Sequence, residues 1–451
     1  MPARLIESLA TTEPLAEIFS DQSVLQAMLD FEVALARAEA RVGVIPESAA
    51  TAIRKAAKAD EFNAATLASE ILRAGTPGIS LAKALTDHVR VKNPDAARFV
   101  HWGATSQDVS DTALVLLLKR TQTILSSDLL RLERALKKLS AEHKGTILLG
   151  RTLLQPAPPV TLGLKAAAWL ASIRRSKIQL DDAFSATLIL QLGGASGTLA
   201  SLDQKGIEVT RLVAQELKLF VPEAPWHTQR DRLATLLCAC GVLTGSLGKM
   251  ARDISLLMQE EVAEAAEVGG QGRGGSSTMP HKHNPIGCSL TLAAAQRVPG
   301  LVSSFLSGMV QEHERGLGGW QAEWPTVSST IQATGLAIAS MAEVTENLSV
   351  NKTRMRTNLE SNHGTVFAER ATMLLGAELG RDVAHKLLEE AIRKGTKQKR
   401  RLAEVLGEIP EVTQHIDPKT LRRLETPEEY LGSAEAFRKA LLSSGQKSKK
   451  K

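Results

Sequence analysis

Apolar positions along this chain recur at intervals of three and four, the period of a helix with one buried face. Val24, Met28, Phe31, Leu35, Ala38 and Val42 keep that rhythm. Gly43 can then cap the helix and Pro46 stop it. From Ser110 to Lys144 the same pattern runs through Leu114, Leu117, Leu118, Leu125, Leu129, Leu132, Leu136 and Leu139. A third helix is expected between Asp231 and Glu267. There Gly241, Gly245 and Gly248 share nearly one face, which in a soluble helix costs stability and predicts the close approach of a second helix. No strand-like alternation of useful length is found.

Proline spacing sets the scale. None lies between Pro94 and Pro156, between Pro159 and Pro222, or between Pro225 and Pro280. Those gaps leave room for helices of roughly 30 to 40 residues, about 45 to 60 Å long at 1.5 Å per residue. Helices of that length pack side by side, so the expected fold is all-α. It has an N-terminal helical domain at 1–110, a long central bundle at 111–350 and a small C-terminal helical domain at 351–451.

Composition agrees. The 451 residues are 43% hydrophobic, 23% charged and only 3% aromatic, as in a soluble helical protein of more than one core. The formal charge of +6 is local: Arg393, Lys394, Lys397, Lys399, Arg400 and Arg401 form one run, and Lys447 and Lys449 to Lys451 end the chain. With no aromatics among them these read as a solvated face and tail, so no nucleic-acid partner is expected. Cys238, Cys240 and Cys288 fit neither a disulfide framework nor zinc spacing and suit a reducing compartment. The first two read as small buried fillers. Met1 is followed by Pro2, Arg4 and Glu7 with no apolar signal region, so a cytoplasmic protein is expected. The uncharged run 183–202 is as long as a membrane span, but Gly193, Gly194 and Gly197 make it a helix end, a loop and a new start.

Candidate chemistry falls in four stretches. Residues 269–285, GGQGRGGSSTMPHKHNP, hold five glycines and read as a mobile lid carrying polar groups. Residues 98–112, RFVHWGATSQDVSDT, place His101, Thr105, Ser106, Gln107 and Asp108 around Gly103. Ser110 or Asp108 can cap the following helix, which leaves His101, Thr105 and Ser106 over, and amides with hydroxyls at a positive helix end suit a carboxylate. In GRTLLQPAPP, 150–159, three prolines predict a rigid lead-in to the next helix, with Arg151, Thr152 and Gln155 as its polar groups. In EHERGLGGWQAEW, 312–324, Arg315 can hold an anion while Trp320 and Trp324 read as packing. His281 and His283 lack the acidic or thiol company of a metal pair, so no metal is expected.

On these motifs the chain resembles the fumarase/aspartase superfamily. GSSTMPHKHNP with its preceding glycines is similar to the superfamily signature. HWGATSQDVSDT and GRTLLQPAPP are similar to its two other shared regions in the same order, and FEVALARAEARVGVIP extends the likeness towards the N-terminus. HWGATSQDVSDT and HERGLGGWQAEW are most similar to the branch that closes a carboxylated muconate to a lactone. The resemblance implies a homotetramer with active sites built from three subunits, a small tricarboxylate substrate, and no cofactor, nucleic acid or membrane. It implies catalytic roles for Ser276 as proton donor and acceptor, Lys282 and His101. Thr105, Ser106, Thr152, Gln155, Gln229, Asn284 and Arg315 would bind substrate, Lys282 and Asn284 holding the carboxylate next to the reacting carbon. A serine needs activation for that work, which glycine amides and Lys282 can supply.

Two positions depart from the pattern. His283 stands where related motifs have arginine. Leu153 follows GRT where adenylosuccinate- and argininosuccinate-type lyases have a histidine that protonates the leaving group. A basic nitrogen leaving group needs that proton, whereas a carboxylate leaving a lactone is already a stable anion. Leu153 therefore favours the cycloisomerase over an adenylosuccinate lyase-like C–N lyase, the alternative. A non-catalytic helical scaffold is disfavoured because Ser276, Lys282 and Asn284 are all present.

Overall fold

The computed structural model describes residues 5–268, 274–275, 278–279 and 281–443. Helix dominates it. In chain order the elements used below are α1 (Glu13–Ile18), α2 (Asp21–Arg41), α3 (Glu47–Ala56), α4 (Ala64–Ala74), α5 (Pro77–Lys92), α6 (Ser106–Glu142), β1 (Ile147–Thr152), β2 (Gln155–Thr161), α7 (Leu162–Thr187), α8 (Gly206–Leu217), α9 (Asp231–Leu257), β3 (Ala265–Glu267), α10 (Ile286–Ser307), α11 (Gly319–Glu346), β4 (Leu348–Val350) and α12 (Lys352–Glu360). Further helices follow, among them α13 (Ala368–Leu379) and α14 (Arg381–Gln398).

α2 shows how sequence sets the ends of an element. The Ser20 hydroxyl accepts the Ser23 amide at 3.2 Å and opens it. At the far end Gly43 takes φ +71°. Its N–H reaches Ala40 O and the Val44 N–H reaches Glu39 O, the paired bonds that close a helix through a left-handed residue. α6 runs for 37 residues, about 55 Å.

The chain divides into two compact units. The first comprises Met1–Leu130, Arg175–Gly248 and Ser289–Met341; the second comprises Arg131–Arg174, Lys249–Cys288 and Ala342–Lys451. In the first, α2 packs on α3 and α8. A Cβ on Gly335 of α11 would lie 2.2 Å from Leu15 and 2.9 Å from Leu125, so that glycine admits α1 and α6 to close contact. The glycine face of α9 behaves similarly. A Cβ on Gly248 would lie 2.6 Å from the Ala295 Cβ and one on Gly241 3.6 Å from Val302, while Gly245 faces open space. α9 is long and apolar enough to cross a membrane by length and composition alone, and most of it is buried within the fold.

The second unit corrects the expectation that strands are missing. Residues 147–161 form an antiparallel hairpin in which Thr152 pairs with Gln155, and β3 pairs with β4. What reads as a proline-stiffened lead-in to α7 is therefore a strand. Its prolines are tolerated because β2 has a partner on one side only, so its missing N–H groups leave no ladder unpaired. The alternation is short but real: Leu148 joins a cluster with Leu162, Leu257 and Met355, and Leu149 joins another with Leu359 and Phe367. A third cluster, including Leu375, Leu388, Leu402 and Leu421, holds the C-terminal helices. Half of the six basic residues at 393–401 are paired there, Lys394 and Arg400 with Glu408 and Arg401 with Glu425.

Candidate active site

In the first unit the candidate residues gather at the N-terminus of α6. The helix starts at Ser106 rather than Ser110, and of the two expected caps Asp108 satisfies an amide of the helix start while Ser110 does not. Ser110 Oγ is buried without a hydrogen-bond partner. Asp108 sits on the third helical residue and reaches back to accept the Thr105 N–H at 2.9 Å, as an acidic side chain in a capping box does. The fully buried Asp108 does more than that. It also accepts the amides of Gly193 and Gly194, each at 2.9 Å, and lies 2.7 Å from His227 Nε2. One carboxylate thus ties the helix start to two distant loops. Gly194 is needed there, because its φ is +69° and a Cβ would sit 2.9 Å from Gly103 O.

Arg315 closes the group. Its guanidinium donates to Thr105 Oγ1 at 3.1 Å and to Ala195 O at 2.8 Å. Its loop is tied to the 227–229 loop by Thr228 Oγ1 donating to His313 O at 3.0 Å. Gln229 lies exposed beside that bond, its Nε2 3.5 Å from Thr228 Oγ1. Ser106 is half-buried under the first turn of α5, where a Cβ on Gly78 would lie 2.6 Å from its Cα. His101 places Nδ1 2.7 Å from Glu32 Oε1. Burial opposes charge on its ring, but Glu32, by charge and hydrogen bond, and Asp108 hold its pKa above the ordinary histidine value. His101, Thr105, Ser106, Gln229 and Arg315 therefore belong to one linked set of loops. Helix-start amides, hydroxyls, the Arg315 guanidinium and an imidazole whose charged form is favoured are groups that can hold carboxylate oxygens.

A buried ion cluster braces that end of the unit. Arg230, fully buried, donates to Asp111 at 2.8 and 3.0 Å and to Glu323 at 3.0 Å, and lies 4.8 Å above the Trp226 ring. Trp320 is buried and donates to Asp111 at 3.1 Å, so its packing role includes a hydrogen bond.

In the second unit Arg151 is no free ligand. It grips the buried Glu264 with two bonds of 3.0 and 2.7 Å, and Glu264 also accepts Asn358 at 2.8 Å. That grip fixes the hairpin from its flank. Thr152 and Gln155 are exposed at its end, and between them Leu153 and Leu154 form the tip at φ 49° and 63°. Leu153 is 97% exposed. Glu267 accepts the amides of Gly287 and Cys288 at 3.0 and 2.9 Å and so caps α10. Ahead of it, Asn284 N donates to Gly274 O at 2.8 Å. Lys282 is exposed and Asn284 half-buried. Ser276 lies outside the described residues, as does most of the glycine run before it.

Cys240 and Cys288 are buried and Cys238 only half so. Burial pushes the Cys240 thiol up to about 12, which keeps it inert. Among the described residues no group of three or more His, Cys, Asp or Glu side chains could hold a metal ion.

Sequence reasoning missed Glu32 and Glu39 of α2, His227 and the Arg230 cluster. A signal existed for the first two: they stand seven residues apart beside the apolar positions of α2, a spacing that carries carboxylates into a core.

Comparison with known proteins adds to this geometry. The model of a family described as lyase matches residues 7–300, and one described as adenylosuccinate lyase C-terminus matches 364–441. The chain is 46% identical over 424 residues, 94% of each chain, to a 3-carboxy-cis,cis-muconate cycloisomerase of Bradyrhizobium diazoefficiens. It is 45% identical over 434 residues, 96% of this chain and 95% of the other, to one of Pseudomonas aeruginosa. The crystal structure of 3-carboxy-cis,cis-muconate lactonizing enzyme from Pseudomonas putida superposes with a TM-score of 0.92 at 43% identity, covering 98% of this chain and 99% of that one.

Proposed function

Because the chain belongs to the fumarase/aspartase superfamily of lyases, we propose that it interconverts 3-carboxy-cis,cis-muconate and its γ-carboxymuconolactone, in the catabolism of protocatechuate. The observation that carries the choice of reaction is Leu153. At the tip of the GRT hairpin, where a C–N lyase needs a proton for a nitrogen leaving group, this chain has a side chain with none to give.

Ring closure needs less. One substrate carboxylate oxygen adds to a carbon of the double bond, and the electron pair moves to the neighbouring carbon, which is next to a second carboxylate. Ser276 gives that carbon its proton. Until it does, the adjoining carboxylate carries the charge as an aci-carboxylate, and Lys282 and Asn284 stabilise its two oxygens. In the reverse direction Ser276 removes the proton and the ring carboxylate leaves as a stable anion. Thr105, Ser106, Arg315 and His101 hold another substrate carboxylate at the start of α6, with Gln229, Thr152 and Gln155 completing the binding set. A tricarboxylate matches this number of cations and hydroxyls.

We place the enzyme in the cytoplasm as a homotetramer whose 111–350 bundle forms the shared core, each site drawing groups from three subunits. The exposed tip leucines support that arrangement. A leucine at positive φ costs about 1–2 kcal/mol, and two of them bared to water gain nothing unless another surface covers them.

The test of the chemistry is solvent deuterium. Run towards the lactone in deuterated water, the enzyme should place one deuterium at the carbon next to the carboxylate. Ser276→Ala should lower the rate by about 10²–10⁴-fold; full activity in that variant would remove Ser276 from the mechanism.

A further inference from the structure

α2 is an apolar helix that carries two carboxylates into its buried face. Glu32 is 1% exposed and Glu39 not at all. A charged carboxylate buried without a partner is unfavourable by several kcal/mol, so each must be neutralised by pairing or by keeping its proton. Glu32 has the His101 ring on Oε1. Its Oε2, and both oxygens of Glu39, have no hydrogen-bond partner. His101 meets Glu32 from a left-handed backbone, φ 59°, a conformation that is strained for a non-glycine residue and that concentrates at functional positions. With Nδ1 committed, the remaining polar atom of the ring is Nε2, and the side chain keeps 19% of its surface open.

We propose that Glu32 is a positioning residue of the site: it fixes the His101 ring through Nδ1 and keeps it an imidazolium, so that Nε2–H binds a substrate carboxylate beside Thr105 and Ser106. This rests on reading the α6 N-terminus as a carboxylate site. The charge balance supports it. Burial, with the charge of Glu32 added, pushes Glu39 up to about 9, so Glu39 is neutral at physiological pH and leaves Glu32 as the counter-ion. The other charged groups nearby are already engaged. Asp108 is paired with His227, Arg315 lies on Thr105, and Lys205, on the turn packed against Gly103, reaches Gly43 O.

The experiment is an NMR titration of the full-length protein with 13C-labelled histidine, His101 being assigned with His101→Gln, alongside kcat and KM for the carboxymuconate across pH. His101 in the parent should titrate above free histidine. Glu32→Gln keeps the shape and an acceptor but removes the charge. Its His101 pKa should fall from the parent's, because burial is then opposed by Asp108 alone. KM should rise about tenfold or more with a smaller change in kcat, and the alkaline limb of kcat/KM should move to lower pH. Glu32→Asp keeps the charge and should keep the His101 pKa above the free value. Glu39→Gln removes no charge at neutral pH and should leave the titration where it was. An unchanged His101 pKa in Glu32→Gln overturns the proposal, and so does a pKa at or below that of free histidine in folded Glu32→Asp. The titration uses no substrate. A shift there without turnover of the carboxymuconate would sink the reaction and leave the positioning role standing.

Discussion

Glu39 shows what a single buried carboxylate does to the whole chain. Its folded pKa of about 9 stands far above the unfolded value, so between the two the folded chain holds a proton that the unfolded chain has released. Stability then falls as pH rises through that window, by at most about 1.4 kcal/mol per pH unit. Its contribution is intact only below the ordinary carboxylate range. Glu39→Gln removes the linkage. Melting curves at about pH 5 and about pH 8.5 should show the variant gaining on the parent at the higher pH, and a parallel loss in both proteins would mean that Glu39 is ionised in the fold.

At the scale of elements, helices were legible and the hairpin was not. The spacing of Val24 to Val42 and the Gly43 stop gave the end of α2 to within a residue and its start to within three, because a helix is fixed by local bonds and one apolar stripe. The β1–β2 hairpin was missed because its alternation spans only a few residues and its prolines argue against a strand unless one edge is known to be free. Residue type alone singled out Thr105, Ser106 and Arg315, and the fold gathers them at the start of α6. What burial decides was illegible, as at Asp108, which caps as expected but is also the hub of two loops, or at Arg151, which read only as a polar group of its stretch and is an anchor for Glu264. The glycines of α9 test the packing account directly. Gly248→Ala inserts a methyl where Ala295 leaves no room, and overpacking of that kind costs about 1–3 kcal/mol, more than the helix propensity it gains. A lower thermal midpoint by circular dichroism is expected, and an equal or higher one would show that the two helices part without penalty.

For the whole molecule, the sequence pattern divides the chain by motif whereas its contacts divide it into two units whose boundaries fall inside α6, α7, α9, α10 and α11. A long helix has no reason to stop where one core ends, so boundaries of this kind leave no mark in composition. The candidate residues divide in the same way: His101, Thr105, Ser106, Gln229 and Arg315 in one unit, Thr152, Gln155, Lys282 and Asn284 in the other. The central claim concerns the reaction, and it turns on the missing histidine at Leu153. Its most direct test is the ultraviolet absorbance of 3-carboxy-cis,cis-muconate on adding the purified protein, run beside the same assay with adenylosuccinate. The account predicts rapid loss of the muconate absorbance as the conjugated diene closes to the lactone, with adenylosuccinate untouched. Turnover of adenylosuccinate with the muconate left intact would contradict it.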